Sequence, residues 1–388
     1  MRRYLVIFAL TATLLVASTA LLAWFVDPYA YWNSPTVEGI NRYHPASGKH
    51  LEAVKLRQYA RLSPNTIITG NSRVDVGFDP ASSAWPQGMQ PVYNLGFPGY
   101  GVEGVVRTVE KALFTSQPRT IFVGLDFLDF RLDGDEQVRT ERLSAPDWQE
   151  RAALDAKLLI SIDALTDTFS ALAEQRARYP ADITPQGFNS LSEYHSVVDA
   201  EGHAALFRQR NRENIKAYLE GSKTVRRPGG DNPNFAMLQQ LVETAKRKRI
   251  VLVFFTYPYH ADILLSFRSS GLWPAYEDWV RDLAAFSARN HVLTYDFTRI
   301  DEVTGEPVPA QGDTKADMKW YWEAGHFKSA LGDRMIMIMN ASLDDRLVLT
   351  PESVNARLSE LREGLAAYGK QHPEALQRID EAFEDAAE

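Results

Sequence analysis

Three residues in two distant segments of the chain could together perform nucleophilic catalysis. The segment TIITGNSRVD ends a β-branched run at Gly70, turns through Asn71 and presents Ser72. A serine hydroxyl becomes an effective nucleophile when a base accepts its proton and a third group orients that base. The segment WYWEAGHFKSALGDRM supplies both candidates, because Glu323 precedes His326 by three residues. The pattern predicts serine-dependent acyl chemistry if the fold brings the two segments together.

Each of these residues also has an ordinary structural interpretation. A serine in the sequence Gly-Asn-Ser-Arg is commonly a turn residue. His326 could begin a surface helix, with Glu323 as an acid near the helix start, where the helix dipole favours negative charge. Only the catalytic interpretation requires Ser72 and His326 to meet in the folded chain.

The elements that would position these residues alternate between strands and helices. Five segments are continuous apolar runs, which is typical of strands buried on both faces of a parallel sheet. Helical segments between them predict right-handed crossovers and an α/β fold with a doubly wound, mostly parallel five-stranded sheet. The predicted strands cover residues 66–69, 91–95, 120–127, 250–257 and 291–297, and the predicted helices cover residues 102–116, 235–249 and 274–290.

Polar and glycine-rich residues follow the predicted carboxyl ends of the strands, where open parallel sheets bind their ligands. Besides Ser72, the candidates at this edge are Arg73, Asn94, Gly99 and Asp126. A local ion pair between Arg73 and Asp75 is the simpler interpretation of that arginine, and Gly99 could merely permit a tight Pro-Gly turn.

The predicted organisation has four parts. The interval between the third and fourth strands is much longer than one crossover and contains helix-like segments, so we predict a helical insertion at about residues 131–234. The parts are an N-terminal transmembrane anchor (1–27), a linker with a short helix (28–63), an α/β domain that contains the insertion (64–345) and an acidic C-terminal helical tail (346–388).

These segments resemble the SGNH (GDSL-like) hydrolase superfamily over roughly residues 64–130 and 245–340. In that family a serine follows the first strand, a glycine and an asparagine after the next strands help to form an oxyanion hole, and a D-x-x-H block supplies acid and base. Ser72 matches the nucleophile, Gly99 the oxyanion glycine and His326 the base, with Glu323 in place of the aspartate. The resemblance implies a flavodoxin-like SGNH fold.

Two positions depart from the family pattern. Asp126 stands where the family asparagine would donate an N–H, and an ionised carboxylate there would repel an oxyanion. Asn94 could donate instead, or Asp126 could be protonated or point elsewhere. Asn71 replaces the usual aspartate before the serine, which matters less because that residue chiefly shapes the turn.

The resemblance is closest to membrane-anchored members associated with acylation of cell-surface polymers, such as alginate O-acetylation proteins and the D-alanylation protein of lipoteichoic acid synthesis. It implies an acyl esterase or O-acyltransferase that acts on a cell-envelope polysaccharide, with a membrane O-acyltransferase as partner.

The N-terminal segment predicts a membrane anchor. After MRRY come 22 residues without a charge, which end at Asp27. At 1.5 Å per residue such a helix spans the ~30 Å hydrocarbon layer of a bilayer. Arg2 and Arg3 favour a cytoplasmic N-terminus, so the rest of the chain would be periplasmic or extracytoplasmic, on a single-pass protein of the bacterial inner membrane. A cleaved signal peptide is the alternative, because small residues occur in VASTA.

Composition excludes several classes of function. A formal net charge of −8 offers no excess of cations for nucleic acid. The absence of cysteine excludes thiolate metal sites and cysteine nucleophiles. No phosphate-binding loop pattern is present, and His195 and His203 lack a recognised ligand spacing. We therefore expect no metal and no cofactor.

Two other functions stay open. A catalytically degenerate SGNH-like scaffold or polymer-binding protein would account for Asp126 and for the large insertion. A lipase-like enzyme acting on phospholipid is disfavoured, because the sequence shows no second cation-rich amphipathic face.

Overall fold

The computed structural model describes residues 1–132, 147–341 and 344–387. Part of the predicted insertion therefore lies outside the described residues. The strands are β1 (Thr66–Gly70), β2 (Val92–Gly96), β3 (Thr120–Leu125), β4 (Val251–Thr256), β5 (Leu293–Tyr295), β6 (Tyr321–Glu323) and β7 (His326–Phe327). The α-helices are α1 (Arg2–Val26), α2 (Leu51–Leu62), α3 (Ser72–Gly77), α4 (Val102–Ala112), α5 (Trp148–Ile160), α6 (Ile162–Glu174), α7 (Ser192–Glu201), α8 (His203–Glu220), α9 (Pro233–Lys248), α10 (Ala261–Ser269), α11 (Trp273–Asn290), α12 (Ser329–Ala341), α13 (Val354–Gln371) and α14 (Pro373–Ala387).

Five strands form one sheet in the order β2-β1-β3-β4-β5, and all neighbours in it are parallel. The prediction of five strands and an α/β class is confirmed, and the expected mostly parallel sheet is parallel throughout. Every residue of β1 and β2 is buried. This burial on both faces explains why the strand sequences are apolar runs, since no face is left for polar side chains. Strand β5 is shorter than the predicted segment.

The handedness of the crossovers places the helices. The connections from β2 to β3, from β3 to β4 and from β4 to β5 all advance in the same direction across the sheet, so right-handed crossovers put α4, α9 and α11 on one face. These helices pack in that order, α4 on α9 and α9 on α11. The step from β1 to β2 runs the opposite way and puts α3 on the other face, where α12 packs against it.

The described part of the insertion is mainly helical, and its helices pack in two separate groups. Helices α5 and α6 form a hairpin that packs against α1, while α7 and α8 pack on each other and α8 packs on β6. The insertion therefore touches the N-terminal helix at one end and the β6–β7 hairpin at the other.

The predicted acidic tail packs onto the domain. Helix α13 contacts α10 and α11, and α14 contacts α8. Leu358, Leu365 and Ile379 are buried in the main core. Arg378 on α14 binds the buried carboxylate of Asp262, with Nη2 2.9 Å from Oδ1. Apolar burial and this ion pair hold the last two helices in place.

Helix α1 is the one helix of the described residues that is long and apolar enough to cross a membrane. Only Ala23 and Val26 are buried along it. The residue after the helix, Asp27, has a carboxylate that accepts hydrogen bonds from the backbone N–H groups of Tyr31 at 2.8 Å and Trp32 at 2.9 Å. These bonds fold the first residues after α1 into a compact turn.

Candidate active site

The turn after β1 presents Ser72 at the carboxyl edge of the sheet. Asn71 caps the short helix α3, because its side-chain oxygen accepts the N–H of Arg73 at 3.1 Å. Only glycine fits at position 70, because a Cβ there would lie 2.5 Å from the hydroxyl oxygen of Tyr257 and 2.6 Å from Cγ2 of Val74. The turn lies at the boundary between β1 and β3, where the strand order reverses and open parallel sheets place their sites.

The structure brings Ser72, His326 and Glu323 together in the order that a catalytic triad needs. The Ser72 Oγ lies 2.8 Å from Nε2 of His326. The other ring nitrogen, Nδ1, is hydrogen-bonded to Oε1 of Glu323. Because an ionised carboxylate only accepts hydrogen bonds, Nδ1 carries the proton and Nε2 is left to accept the proton of Ser72.

A two-stranded hairpin holds the acid and the base. Glu323 ends β6, His326 begins β7, and the two residues are paired across the turn. The N–H of Gly325 in the turn donates to Oε2 of Glu323 at 2.7 Å. The structural interpretation that His326 begins a helix is therefore wrong, since α12 begins only at Ser329. The hairpin accommodates the extra methylene of glutamate.

The carboxylate of Glu323 is held in its charged form. Its side chain is 1% exposed. Burial alone would raise the pKa of Glu323, but the charge and hydrogen bond of His326, the Gly325 N–H and the charge of Arg210 together hold the pKa below its usual value. A charged Glu323 can stabilise the imidazolium that forms when His326 takes a proton.

Two residues of the insertion complete this environment, and the sequence reasoning missed both. The ring of Tyr194 on α7 meets that of His326 edge to face, with 6.0 Å between centroids. Arg210 on α8 donates from Nε to the Tyr194 hydroxyl at 2.6 Å. No local pattern marks these residues, because they reach the site only through the packing of the insertion.

The structure corrects the predicted partner of Arg73. Its guanidinium binds Asp126 rather than Asp75. Asp75 instead pairs with Lys55, whose Nζ lies 2.6 Å from Oδ1, and both side chains are completely buried. Lys55 also donates to the backbone oxygen of Gly96 at 2.7 Å. This second pair joins α2, α3 and the end of β2 beneath the site.

The carboxylate of Asp126 is fully occupied by donors. Oδ1 accepts the Tyr259 hydroxyl at 2.6 Å and the Leu128 N–H at 3.0 Å. Oδ2 accepts from Asn71 Nδ2 at 2.9 Å and from Arg73. The sequence analysis expected an ionised Asp126 to repel an oxyanion. In the structure the ion pair with Arg73 neutralises the negative charge of Asp126. Asp126 does not serve as an oxyanion donor in this arrangement.

Asp129 adds a second carboxyl group to this network. Its Oδ2 lies 3.3 Å from Nδ2 of Asn71. Burial and the charge of Asp126 raise the pKa of Asp129 well above its usual range, against the attraction of Arg73. The DFLD segment places both acids in one turn, which is the sequence signal that could have found this residue.

The structure gives Asn94 a supporting position rather than the predicted oxyanion position. Both hydrogens of its amide are used, by the backbone oxygens of Val74 at 2.7 Å and Phe78 at 2.8 Å. Its Oδ1 accepts the N–H of Gly96 at 2.9 Å. Asn94 thus joins β2 to α3 and has no hydrogen left for a substrate.

Gly99 lies in an exposed turn after β2 with a φ of 74°, and a Cβ there would meet nothing within 4 Å. The left-handed backbone favours glycine. Ser72 is the first residue of α3, and its N–H belongs to the groups that a helix leaves without an intrahelical partner. The backbone N–H groups of Ser72 and of the predicted oxyanion glycine, Gly99, thus stay as candidate donors for an oxyanion.

A large cleft lies away from the triad. It has a volume of about 1140 Å³ and runs between α2, α4 and α5. Tyr100 is its lining residue nearest in sequence to Gly99. We assign the chemistry to Ser72 rather than to this cleft. Hydrogen bonds between a nucleophile, a base and an acid identify a catalytic group, whereas the size of a cleft does not. Residues that line the cleft include Tyr31, Trp32, Arg57, Tyr100 and Arg151.

Across the residues that the structure describes, no group of three or more His, Asp or Glu residues could hold a metal ion. His203 Nδ1 lies 3.0 Å from the carbonyl oxygen of Trp322 and Nε2 lies 3.1 Å from Asp317 Oδ1, so both ring nitrogens face acceptor oxygens. The expectation that no cofactor takes part stays a prediction.

Comparisons with family models, with curated proteins and with solved structures give no match. The resemblance to SGNH hydrolases therefore stays a prediction. Its support comes from the geometry of the site alone.

Proposed function

We propose that this chain is a membrane-anchored serine hydrolase or O-acyltransferase that uses Ser72, His326 and Glu323. The observation that carries the proposal is the 2.8 Å contact between Ser72 Oγ and His326 Nε2, with the opposite ring nitrogen on Glu323. A turn serine or a surface histidine needs no such partner. The strand order 2-1-3-4-5 is also that of flavodoxin-like sheets, which supports an SGNH-like fold.

The reaction would proceed through an acyl-serine intermediate. Ser72 Oγ attacks the ester carbonyl while His326 Nε2 takes the hydroxyl proton. The tetrahedral intermediate collapses, the carbonyl re-forms, and His326 returns the proton to the departing alkoxide. A second hydroxyl, from water or from a sugar, then gives its proton to His326 and attacks the acyl-serine. The second tetrahedral intermediate collapses with cleavage of the bond to Ser72 Oγ, which takes the proton back from His326. Water yields hydrolysis, and a sugar hydroxyl yields transfer.

The backbone N–H groups of Ser72 and Gly99 would stabilise the oxyanion. Each donor of this kind typically contributes about 3–4 kcal/mol to transition-state stabilisation. Arg73 would act indirectly by neutralising Asp126, so that no net negative charge faces the developing oxyanion.

The location and the substrate class rest on different arguments. Helix α1 would anchor the chain in a bacterial inner membrane, and Arg2 and Arg3 favour an extracytoplasmic domain. The family resemblance supplies the acceptor, a cell-envelope polysaccharide, and the partner, a membrane O-acyltransferase.

A catalytically silent scaffold of the same fold is the second candidate, and one observation favours it. Neither Asn94 nor Asp126 can donate a side-chain N–H to an oxyanion, because the first is used by backbone oxygens and the second is an acceptor. The acyl oxygen would then rely on backbone donors alone.

Labelling with a fluorophosphonate distinguishes the two candidates, because the probe reacts only with an activated serine. Full-length protein in detergent is compared with Ser72→Ala, His326→Ala and the control Ser170→Ala, which changes an exposed serine on α6. We expect label on the peptide that contains Ser72, lost in Ser72→Ala, strongly reduced in His326→Ala and unchanged in the control. Folded wild-type protein that takes up no label would refute the catalytic assignment and favour the scaffold.

A further inference from the structure

The α5–α6 hairpin carries an apolar tip that the described part of the domain leaves uncovered. Ile160 and Ile162 flank Ser161 at the turn between the two helices and are 54% and 83% exposed. Beyond α1, Ile162 is the most exposed large hydrophobic side chain among the described residues. Single exposed apolar residues are ordinary, but two at one protruding turn mark a contact surface.

The tip lies beside the end of the N-terminal helix. Both α5 and α6 contact α1, and the buried residues of α1 are Ala23 and Val26 near its end. Leu158 and Ala164, on either side of the tip, share an apolar cluster with Tyr29 and other residues just after α1. The hairpin therefore packs against the last turns of the membrane-span candidate.

Two polar contacts halfway along the hairpin tie it to the residues that follow α1. The Tyr31 hydroxyl donates to Asp155 Oδ1 on α5 at 2.7 Å. The Tyr29 hydroxyl donates to Asp167 Oδ2 on α6 at 2.7 Å, and Lys49 Nζ lies 2.5 Å from the other oxygen of that carboxylate. Five residues separate each acid from the nearer tip isoleucine, a rise of ~7–8 Å along a helix. The far end of α6 is held at Tyr43, whose N–H donates to Oε1 of Gln175 at 3.0 Å. Because both helices also contact α1, the tip half of the hairpin is the part that faces α1.

We propose that Ile160 and Ile162 enter the lipid leaflet that faces the domain and give the protein a second membrane contact beside α1. The inference rests on the anchor described under Proposed function. A rise of ~7–8 Å matches the depth of ~5–10 Å to which interfacial apolar faces are buried. Lys157 and Asp163 lie three and one residues from the tip isoleucines and are exposed, which keeps the insertion shallow, since their charges stay among the headgroups.

Lipid is the occupant that the surroundings favour. Leu21 and Trp24, on the last turns of the helix that the hairpin contacts, are 63% and 38% exposed, so both packed elements carry exposed apolar side chains. Trp24 lies where an interfacial aromatic residue is expected in a spanning helix. A bilayer that surrounds α1 would cover the tip without any further partner.

A two-point attachment has a direct consequence for the site. A single helix allows the domain to rotate about the helix axis, whereas a second inserted point stops that rotation. The domain would then hold Ser72 at a constant height and orientation above the lipid surface. This arrangement suits an acyl donor or acceptor that is itself held at the membrane.

Fluorescence from single labelled positions tests the proposal on the full-length protein. The chain contains no cysteine, so Ile162→Cys, Val251→Cys and Leu15→Cys each give one site for an environment-sensitive nitrobenzoxadiazole dye. Val251 is 59% exposed at the start of β4 and serves as the solvent control, while Leu15 reports on the anchor. The protein is reconstituted into phosphatidylcholine vesicles with nitroxide lipids labelled near the headgroup or near the chain end.

We expect the dye at position 162 to shift to shorter wavelength and to be quenched more by the headgroup-proximal nitroxide than by the deep one. The dye at position 251 should stay as in water. Quenching at position 15 without quenching at position 162 would overturn the hairpin contact and leave the anchor intact. Absence of quenching at both positions would overturn the anchor as well. A shifted but unquenched dye at position 162 would also overturn the proposal, because protein rather than lipid would then cover the tip.

Discussion

Ser72 Oγ lies 2.8 Å from Nε2 of His326, although 254 positions separate the two residues in the chain. The serine follows β1 at the start of α3, and the histidine comes from the β6–β7 hairpin that precedes α12. Helix α3, which begins at Ser72, packs against both β7 and α12. The contact is therefore the product of one packed unit, and the following predictions probe that unit and its supports.

Glu323→Gln should reduce turnover by about 10⁴-fold, because an amide can donate to Nδ1 and favour the wrong tautomer of His326. Glu323→Asp should retain more activity than Glu323→Gln, since it keeps the charge and only shortens the reach. Initial rates on a short-chain activated ester provide the measurement. Glu302→Gln, an exposed acid in a neighbouring loop, is the matched control and should leave the rate unchanged. Equal rates for Glu323→Gln and wild type would show that Glu323 does not take part in catalysis.

Asp126→Asn restores the residue type that the family pattern expects, yet it should not improve catalysis. The substitution leaves the guanidinium of Arg73 buried without its partner, and such a loss typically costs about 3–5 kcal/mol of unfolding free energy. The double variant Asp126→Asn with Arg73→Met should recover most of that loss, because neither charge remains. Urea unfolding of wild type and of both variants gives the free energies. An Asp126→Asn protein as stable as wild type and more active would show that this position faces the oxyanion.

Lys55→Met should destabilise the protein by about 3–5 kcal/mol, since it leaves Asp75 as an uncompensated buried charge. Lys55→Met combined with Asp75→Leu should be less destabilising than Lys55→Met alone. The exposed pair of Arg346 and Asp344 supplies the control, and Arg346→Met should change the unfolding free energy by less than about 1 kcal/mol. A small effect of Lys55→Met in urea unfolding would contradict the buried pairing.

Asp129→Asn should stabilise the protein at neutral pH and lose this advantage in acid. The pKa of Asp129 is raised in the folded state by burial and by the charge of Asp126, so its contribution to stability is fully present below the ordinary aspartate pKa of about 3.9 and is lost as pH rises through the folded value. Because the side chain keeps some solvent contact, we expect a gain of about 1 kcal/mol near pH 8 and none near pH 3. Unfolding free energies of wild type and variant across this range give the difference. A variant whose advantage grows as pH falls would have the opposite sign and would refute the assignment.

Much of the fold could be predicted because its signals are local. Continuous apolar runs predicted all five strands of the main sheet, since each strand is buried by neighbours on both faces whatever their identity. Ser72 at a predicted strand end, and Glu323 three residues before His326, were the signals that named the three side chains that the structure brings into contact. The apolar run at the N-terminus likewise predicted α1 by length alone.

Pairings between distant segments could not be predicted. Sequence proximity favoured Asp75 as the partner of Arg73, but Lys55 reaches Asp75 from α2 and leaves Arg73 to Asp126, which follows β3. Asn94 looked free to donate, and only the position of α3 shows that backbone oxygens use its amide.

The sequence alone determined which segments form strands and helices and which residue types could perform chemistry, because periodicity and turn chemistry depend on near neighbours. Only the tertiary structure decided which charges neutralise each other, that Tyr194 and Arg210 border the histidine, and that the tip of the α5–α6 hairpin lies beside α1. These relationships depend on strand order and helix packing, which bring together residues that no local pattern connects.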